Sequence, residues 1–264
     1  MIYIGTSGFS YDDWVGPYYP QNLPKKDWLY YYAREFPTLE VNSSYYSVPS
    51  PYAFIQMAKK TPEGFIFAVK AHQDMTHKRQ DNAEVFQQFR QALQPLLEVG
   101  KFGCVLAQFP FSFHANPENQ DYLRLLRERL ADLPVVIEFR NREWLTQESF
   151  ALLREHDLGF CCVDEPRFAS LMPPIAEVTS PHVAYVRFHG RNAQKWWRHE
   201  QAWERYDYTY KPEELQEWVP KIRALDGMAE KTFVFANNHW QAQAVGTARQ
   251  LKLALGDGGN GGNG

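Results

Sequence analysis

The sequence predicts an α/β protein with the (β/α)8 fold, a TIM-type barrel of eight parallel strands surrounded by helices. Short apolar segments recur eight times along the chain, and helical patterns separate most of them, as expected for parallel βαβ units. The length of 264 residues fits one such barrel, which commonly has about 250 residues. Eight units in a chain of this length favour closure into a barrel over an open sheet.

The eight apolar segments are the predicted strands, and each is short enough to cross the barrel wall once. They cover Ile2–Gly5, Leu39–Asn42, Phe65–Lys70, Cys104–Gln108, Val135–Arg140, Phe160–Asp164, Val183–His189 and Phe233–Asn237. One helix is predicted to begin at Pro51 with Ser50 as its N-cap, because serine accepts from the first free amides and proline suits the first turn. The other predicted helices cover Trp28–Phe36, Asn82–Val99, Asn116–Leu130, Thr146–His156, Pro212–Leu225 and Gln241–Leu255.

Two segments depart from this pattern. The stretch Glu165–Pro181 follows the sixth strand and contains four prolines. Proline lacks the amide that a helix interior needs, so we expect the outer helix after strand six to be short or missing. Residues 256–264 consist mostly of glycine and asparagine, which predicts a disordered tail after a single domain over residues 1–255.

Composition and charge narrow the functional classes. The formal net charge is −3, so the chain lacks the strongly basic character of a dedicated nucleic-acid-binding domain. The N-terminal residues show neither a charged signal region nor a long apolar run, which predicts a soluble cytoplasmic protein with no membrane partner. The three cysteines, at positions 104, 161 and 162, form no C-x-x-C pair and fit a reducing compartment.

Polar residues stand at the C-terminal ends of the predicted strands, where barrel enzymes place their active sites. They alternate with apolar residues, so we expect the polar side chains to point together into the barrel mouth. Unpaired charges are costly in such a place, which favours a functional site. The residues expected to line it are Glu40, Asn42, Lys70, Gln108, Glu138, Arg140, Asp164, Arg187, His189 and Asn237.

Four of the mouth residues are candidates for catalysis. Glu40, Glu138 and Asp164 are carboxylates whose neighbouring cations are expected to keep them ionised. His189 precedes Gly190 at a sharp turn and is the natural proton carrier near neutral pH. Three acids are matched by three cations in this set, so the sequence predicts no metal ion and no cofactor.

The remaining candidates are expected to bind substrate. Arginine forks favour carboxylate or phosphate, so the substrate should be a small molecule that is anionic as well as hydroxylated. Trp14 lies in an aromatic first loop, where it is a candidate for stacking on a ligand. The seventh loop follows the seventh predicted strand and includes Lys195–Tyr208. It mixes arginine, lysine and tryptophan, a weak indication of nucleic-acid binding. The predicted substrate-binding residues are Asn42, Lys70, Gln108, Arg140, Arg187, Asn237, Asn238 and Trp14.

Several motifs together resemble one protein family. They include Gly5–Phe9 with Trp14, Glu40–Tyr46, Gln108–Pro110, Glu138–Arg140 with Trp144, Asp164, Arg187–Arg191 and Asn237–Asn238. From Ile2 to about Leu255 the chain resembles the YecE-like family built on domain of unknown function 72. The resemblance implies a TIM-type barrel, similar in fold to xylose-isomerase and endonuclease IV-like barrels. Sugar-related labels for the family follow from fold analogy, which does not fix chemistry.

Three functions are compatible with these residues. The first is a metal-independent enzyme, a hydrolase or isomerase, that uses carboxylate and histidine acid–base chemistry on a sugar-like or phosphorylated molecule. The second is a metal-dependent phosphodiesterase or nuclease, with Glu138, Asp164 and His189 as metal ligands. The third is a non-catalytic protein that binds a small ligand or nucleic acid.

Overall fold

In the computed structural model, which describes residues 1–256, the predicted strands form a closed parallel barrel. Each strand pairs with the next in sequence, and β8 pairs with β1. This arrangement confirms the predicted fold. The strands are β1 Ile2–Ser7, β2 Thr38–Val41, β3 Ile66–Lys70, β4 Phe102–Gln108, β5 Val135–Glu138, β6 Leu158–Asp164, β7 Val183–Phe188 and β8 Lys231–Ala236.

Helices pack around the barrel, and polar caps fix where several of them begin. Ser50 Oγ accepts from the Ala53 amide at 3.3 Å, and Asn116 Oδ1 accepts from the Asn119 amide at 2.9 Å. Within residues 1–256, no helix is both long and apolar enough to cross a lipid bilayer. The helices are α1 Trp28–Ala33, α2 Pro51–Lys59, α3 Ala83–Glu98, α4 Pro117–Leu130, α5 Gln147–Glu155, α6 Pro212–Gln216, α7 Val219–Asp226 and α8 Gln243–Leu255.

The helix predicted over Pro212–Leu225 is two helices, so this prediction is wrong. Helix α6 ends at Gln216, and α7 begins at Val219. Pro220 supplies the reason, because it has no amide to donate to the carbonyl of Gln216 four residues earlier.

The chain after β6 follows the prediction. Between Asp164 and Val183 the structure contains turns and extended segments but no helix. Of the tail predicted over residues 256–264, only Gly256 is described, where it ends α8 with a φ of 77°. Residues 257–264 lie outside the described part of the chain.

Aromatic rings fill the barrel below the polar ends of its strands. Phe233, Phe235 and Tyr185 are fully buried, and the ring centroids of Tyr185 and Phe235 lie 5.3 Å apart. The charged residues nearer the C-terminal ends of the strands therefore rest on an apolar floor, where electrostatic interactions are stronger than in water.

Candidate functional site

The side chain of Arg187, on β7, joins two glutamates that come from other strands. Its Nη2 donates to Glu40 Oε1 and its Nη1 donates to Glu138 Oε2, each at 2.6 Å. Glu40 Oε2 also accepts from the Tyr185 hydroxyl at 2.7 Å. Arg187 is only 1% exposed and both glutamates are fully buried, so these three charges depend on one another.

Glu138 is the carboxylate around which the other mouth residues gather. Its Oε1 lies 2.8 Å from Arg140 Nε and 3.2 Å from His189 Nε2. Neither contact has the alignment of a good hydrogen bond, so within residues 1–256 this buried oxygen keeps acceptor capacity. Burial alone would raise the pKa of Glu138, but the Arg140 and Arg187 guanidiniums hold it well below its usual range. Glu138 is therefore an ionised acceptor.

His189 joins the same cluster, where its surroundings disfavour the protonated imidazole. Asn237 Nδ2 lies 3.0 Å from His189 Nδ1, and an amide that donates there places the imidazole proton on Nε2, facing Glu138. Burial and the nearby Arg140 lower the pKa of His189 to about 3. The low pKa disfavours a charged imidazole near neutral pH, and a catalytic role for His189 stays a prediction.

Asp164 does not enter the barrel mouth, which corrects its predicted position. It pairs in register with Phe188, and Phe188 packs outside the barrel with its ring centroid 5.4 Å from that of Trp218. Since registered residues on neighbouring parallel strands point to the same side, Asp164 also points outward. There it accepts from Trp218 Nε1 at 2.7 Å and from Arg191 Nε and Nη2 at 2.8 Å each.

Glu165 takes the place that was predicted for Asp164. Its Oε2 accepts from Arg140 Nη1 at 3.1 Å, and its Oε1 accepts from the Met172 amide at 3.1 Å. Burial raises the pKa of Glu165 to about 7, against the lowering effect of Arg140. Glu165 was not among the predicted site residues. The adjacent acids Asp164 and Glu165 were the available signal, because side chains alternate along a strand and one of two neighbours must point inward.

Lys70 stands beside this cluster with a neutral partner. Its Nζ donates to Gln108 Oε1 at 3.0 Å and lies 4.5 Å from the centroid of the Tyr45 ring. Within residues 1–256 it forms no salt bridge. Burial, and then the positive charge of Arg187, lower the pKa of Lys70 to about 7. Lys70 is therefore the mouth residue whose amine changes protonation near neutral pH.

Three predicted binding residues are closed to a ligand in this conformation. Arg187 is buried and pairs with two glutamates, as described above. Asn238 is fully buried and points away from the mouth, where its Nδ2 donates to the Tyr208 carbonyl at 2.8 Å and to Thr247 Oγ1 at 2.9 Å. Trp14 is 0% exposed because it packs in the aromatic core of the first loop and donates to the His239 carbonyl.

The other predicted binding residues do lie at the mouth. Lys70, Gln108, Arg140 and Asn237 contact one another or the cluster through the bonds given above. Asn42 follows β2 and is half-buried, with an Oδ1 that has no hydrogen-bond partner in the described part of the chain.

The seventh loop covers this site with an indole ring. Trp196 is 2% exposed, and its ring centroid lies 5.8 Å from the Arg140 guanidinium and 6.5 Å from the His189 ring. The tryptophans and cations of this loop are visible in the sequence. Which of its rings reaches the mouth depends on how the loop folds. Trp196 limits the entry of water to Arg140 and His189.

The carboxylates of the mouth contact cations rather than each other. Across residues 1–256, no three His, Cys, Asp or Glu side chains are grouped so as to hold a metal ion. The arrangement instead offers an ionised acceptor at Glu138, a neutral imidazole at His189, and two groups, Lys70 and Glu165, that exchange protons near pH 7.

Comparison with known proteins places this barrel in a family. The family described as "Protein of unknown function DUF72" matches residues 3–261. UPF0759 protein YunF of Bacillus subtilis (strain 168) is 32% identical over 266 residues, and the match covers 95% of this chain and 93% of YunF. The crystal structure of a DUF72 family protein from Thermotoga maritima is similar with a TM-score of 0.89 at 39% identity, covering 97% of this chain and 99% of that one. A DUF72 family protein from Enterococcus faecalis has a TM-score of 0.86 at 28% identity, with 97% and 95% covered. The motifs at the strand ends, the closed barrel and these matches agree, and the chain belongs to the DUF72 family.

Proposed function

We propose that the protein is an enzyme that acts on a small, anionic and hydroxylated molecule by acid–base chemistry, without a catalytic metal. One observation carries this proposal. Arg140 and Arg187 are paired with glutamates, whereas Lys70 donates to the neutral amide of Gln108. A carboxylate or phosphate of the substrate would supply the counter-charge that Lys70 lacks within residues 1–256.

Two titratable groups of the mouth suit proton transfer at neutral pH. A catalytic acid or base works best when its pKa lies near the operating pH, and the pKa values of Lys70 and Glu165 are both about 7. Glu138 stays ionised, and its buried Oε1 has no hydrogen-bond partner within residues 1–256, so it would accept from a substrate hydroxyl once the seventh loop opens. Acid–base work is therefore assigned to Lys70 and Glu165, and hydroxyl recognition to Glu138.

The cover over the mouth supports catalysis over simple binding. Trp196 restricts water at Arg140 and His189, and a dry site strengthens each electrostatic contact with a developing charge. The seventh loop must move to admit substrate, which is a common arrangement in barrel enzymes.

Thermal melting in the presence of matched ligands tests the proposal. The ligands are glucose against glucose 6-phosphate and glycerol against glycerol phosphate, with wild-type protein and Lys70→Gln. We expect the phosphorylated member of at least one pair to raise the melting temperature of the wild type and not that of Lys70→Gln. Lys101→Gln is the matched control, because Lys101 Nζ donates to the Ala58 and Thr61 carbonyls, outside the mouth.

Two results would contradict the proposal. If only the neutral sugars raise the melting temperature, and do so equally in Lys70→Gln, the substrate is not anionic. If a ligand binds but is recovered chemically unchanged after every turnover assay, the result favours a non-catalytic binding protein. Mass spectrometry of metabolites that co-purify with the protein identifies the ligand for that assay.

A further inference from the structure

We propose that Lys70 is an amine nucleophile, and that the substrate is an anionic carbonyl compound with which its Nζ forms an imine. This inference rests on the proposed function, because it names the substrate class of the same site. It also assigns Lys70 a covalent role in place of a purely electrostatic one.

The contacts of Lys70 Nζ are those of an amine that is kept available. Gln108 Oε1 accepts one hydrogen bond at 3.0 Å, and the Tyr45 ring lies below the nitrogen at 4.5 Å. Neither partner carries a charge that would hold the nitrogen as an ammonium ion. Lys101 differs, because its Nζ donates to three oxygens of Ala58 and Thr61 and has no free direction of approach.

The charges around Lys70 also favour the neutral amine. It feels the guanidiniums of Arg187 on β7 and Arg140 after β5, and the carboxylates of Glu138 and Glu40 on β5 and β2. Both carboxylates form ion pairs with the same arginines, so at Lys70 they offset the positive charge of the arginines only in part. The neighbouring His77 is itself held neutral, with a pKa lowered to about 4 by burial and by Lys70. Desolvation next to other cations is a general way to activate a lysine nucleophile.

The chemistry is a condensation with no oxidant or reductant. The nitrogen lone pair of neutral Lys70 attacks the carbonyl carbon, and one N–H proton moves to the carbonyl oxygen to give a carbinolamine. The carbon–oxygen bond then breaks, and the oxygen leaves as water with the second N–H proton. The product is a C=N bond, which withdraws electrons from the adjacent carbon when protonated. The anionic group of the substrate would lie beside the protonated imine at Lys70, as the counter-charge proposed above.

Reductive trapping of the intact protein tests the inference. The protein is incubated at pH 7 with cyanoborohydride and either dihydroxyacetone phosphate or pyruvate, and then digested for peptide mass mapping. We expect Lys70 to gain the mass of the probe less one oxygen atom, in clear excess over Lys101 and the surface lysines. Acetone, which has no anionic group, is the matched probe and should label Lys70 weakly.

Lys70→Arg separates this inference from the proposed function. It keeps the positive charge but has no nucleophilic amine, so the adduct should disappear while phosphorylated ligands still raise the melting temperature. If the wild type is stabilised by phosphorylated ligands yet Lys70 reacts no faster than surface lysines, the imine is wrong and the proposed anion site stands. If neither stabilisation nor labelling depends on Lys70, both proposals fail.

Discussion

Glu138 lies between two guanidiniums in a part of the barrel that excludes water. Breaking a buried pair from one side leaves a charge without compensation, at a typical cost of about 3–5 kcal/mol. We expect Glu138→Gln to lower the free energy of unfolding by about that amount, as measured by urea denaturation, because Arg187 and Arg140 each lose one of their two carboxylate partners.

An exposed ion pair provides the control for this prediction. Lys25 Nζ lies 2.8 Å from Asp12 Oδ1, with side chains that are 59% and 84% exposed. Asp12→Asn should cost less than about 1 kcal/mol, because water screens surface pairs. A loss for Glu138→Gln no larger than that for Asp12→Asn would show that the cluster is not the electrostatic core described above.

The buried amine of Lys70 should destabilise the folded protein. Its pKa is about 7 in the folded state against an ordinary value of 10.5, so between these values the unfolded chain binds more protons. The contribution of Lys70 to the free energy of unfolding therefore rises with pH over this range. Lys70 destabilises the folded state most below pH 7. We expect Lys70→Met to raise the melting temperature, and to do so more at pH 6 than at pH 9.

The same substitution at the exposed Lys25 controls for the general loss of a lysine. Thermal melts of both variants and the wild type at the two pH values make the comparison. A gain for Lys70→Met that is equal at pH 6 and pH 9 would contradict the low pKa of this amine.

At the scale of elements, Asp164 connects β6 to both ends of the seventh loop. Its carboxylate accepts two hydrogen bonds from Arg191 at the start of the loop and one from the Tyr210 hydroxyl, at 2.8 Å, near its end. The Tyr210 hydroxyl in turn accepts from the Gly190 amide at 2.9 Å. Asp164 is therefore a positioning residue for the loop that carries Trp196.

Asp164→Asn should loosen this loop selectively. The amide keeps the shape of the carboxylate but loses the charge that holds Arg191, so we expect faster amide hydrogen exchange across residues 191–210. Glu217→Gln is the control, since Glu217 is a 52% exposed partner of the same arginine and should matter little. Unchanged exchange in the loop of Asp164→Asn would show that other contacts position Trp196.

At the scale of the whole molecule, the closed barrel brings acids and cations from several strands to one end. Glu40, Glu138 and Glu165 face Lys70, Arg140 and Arg187, so each acid already has a neighbouring cation or an amide donor. A divalent ion prefers several oxygen or imidazole ligands with little competing positive charge.

We therefore predict that protein purified without metal-affinity resin or chelators contains no stoichiometric transition metal. Elemental analysis measures this directly, with Glu138→Gln analysed in parallel. A stoichiometric metal in the wild type that is lost from Glu138→Gln would favour the metal-dependent phosphodiesterase.

The sequence alone determined the barrel and the end of the barrel that carries the charged residues. Apolar segments, N-caps and prolines are local signals, and they placed all eight strands and the missing helix after β6. They also placed Glu40, Glu138, Arg140 and His189 at one mouth, because alternation along a strand is read directly from the chain. Pro220 was equally visible, and it ends α6 where the sequence predicted a continuous helix.

Only the tertiary structure decided what each charged residue does. Whether Asp164 or Glu165 faces inward depends on the register of β6 against β7, and two adjacent acids carry no local sign of it. Arg187 meets Glu40 across 147 residues of sequence, so its pairing with two glutamates arises from contacts between distant segments. The same holds for Lys70, whose hydrogen-bond partner within residues 1–256 is the neutral Gln108. The pKa values of Lys70, Glu165 and His189 follow from the same contacts, because desolvation and neighbouring charge exist only once the barrel has closed.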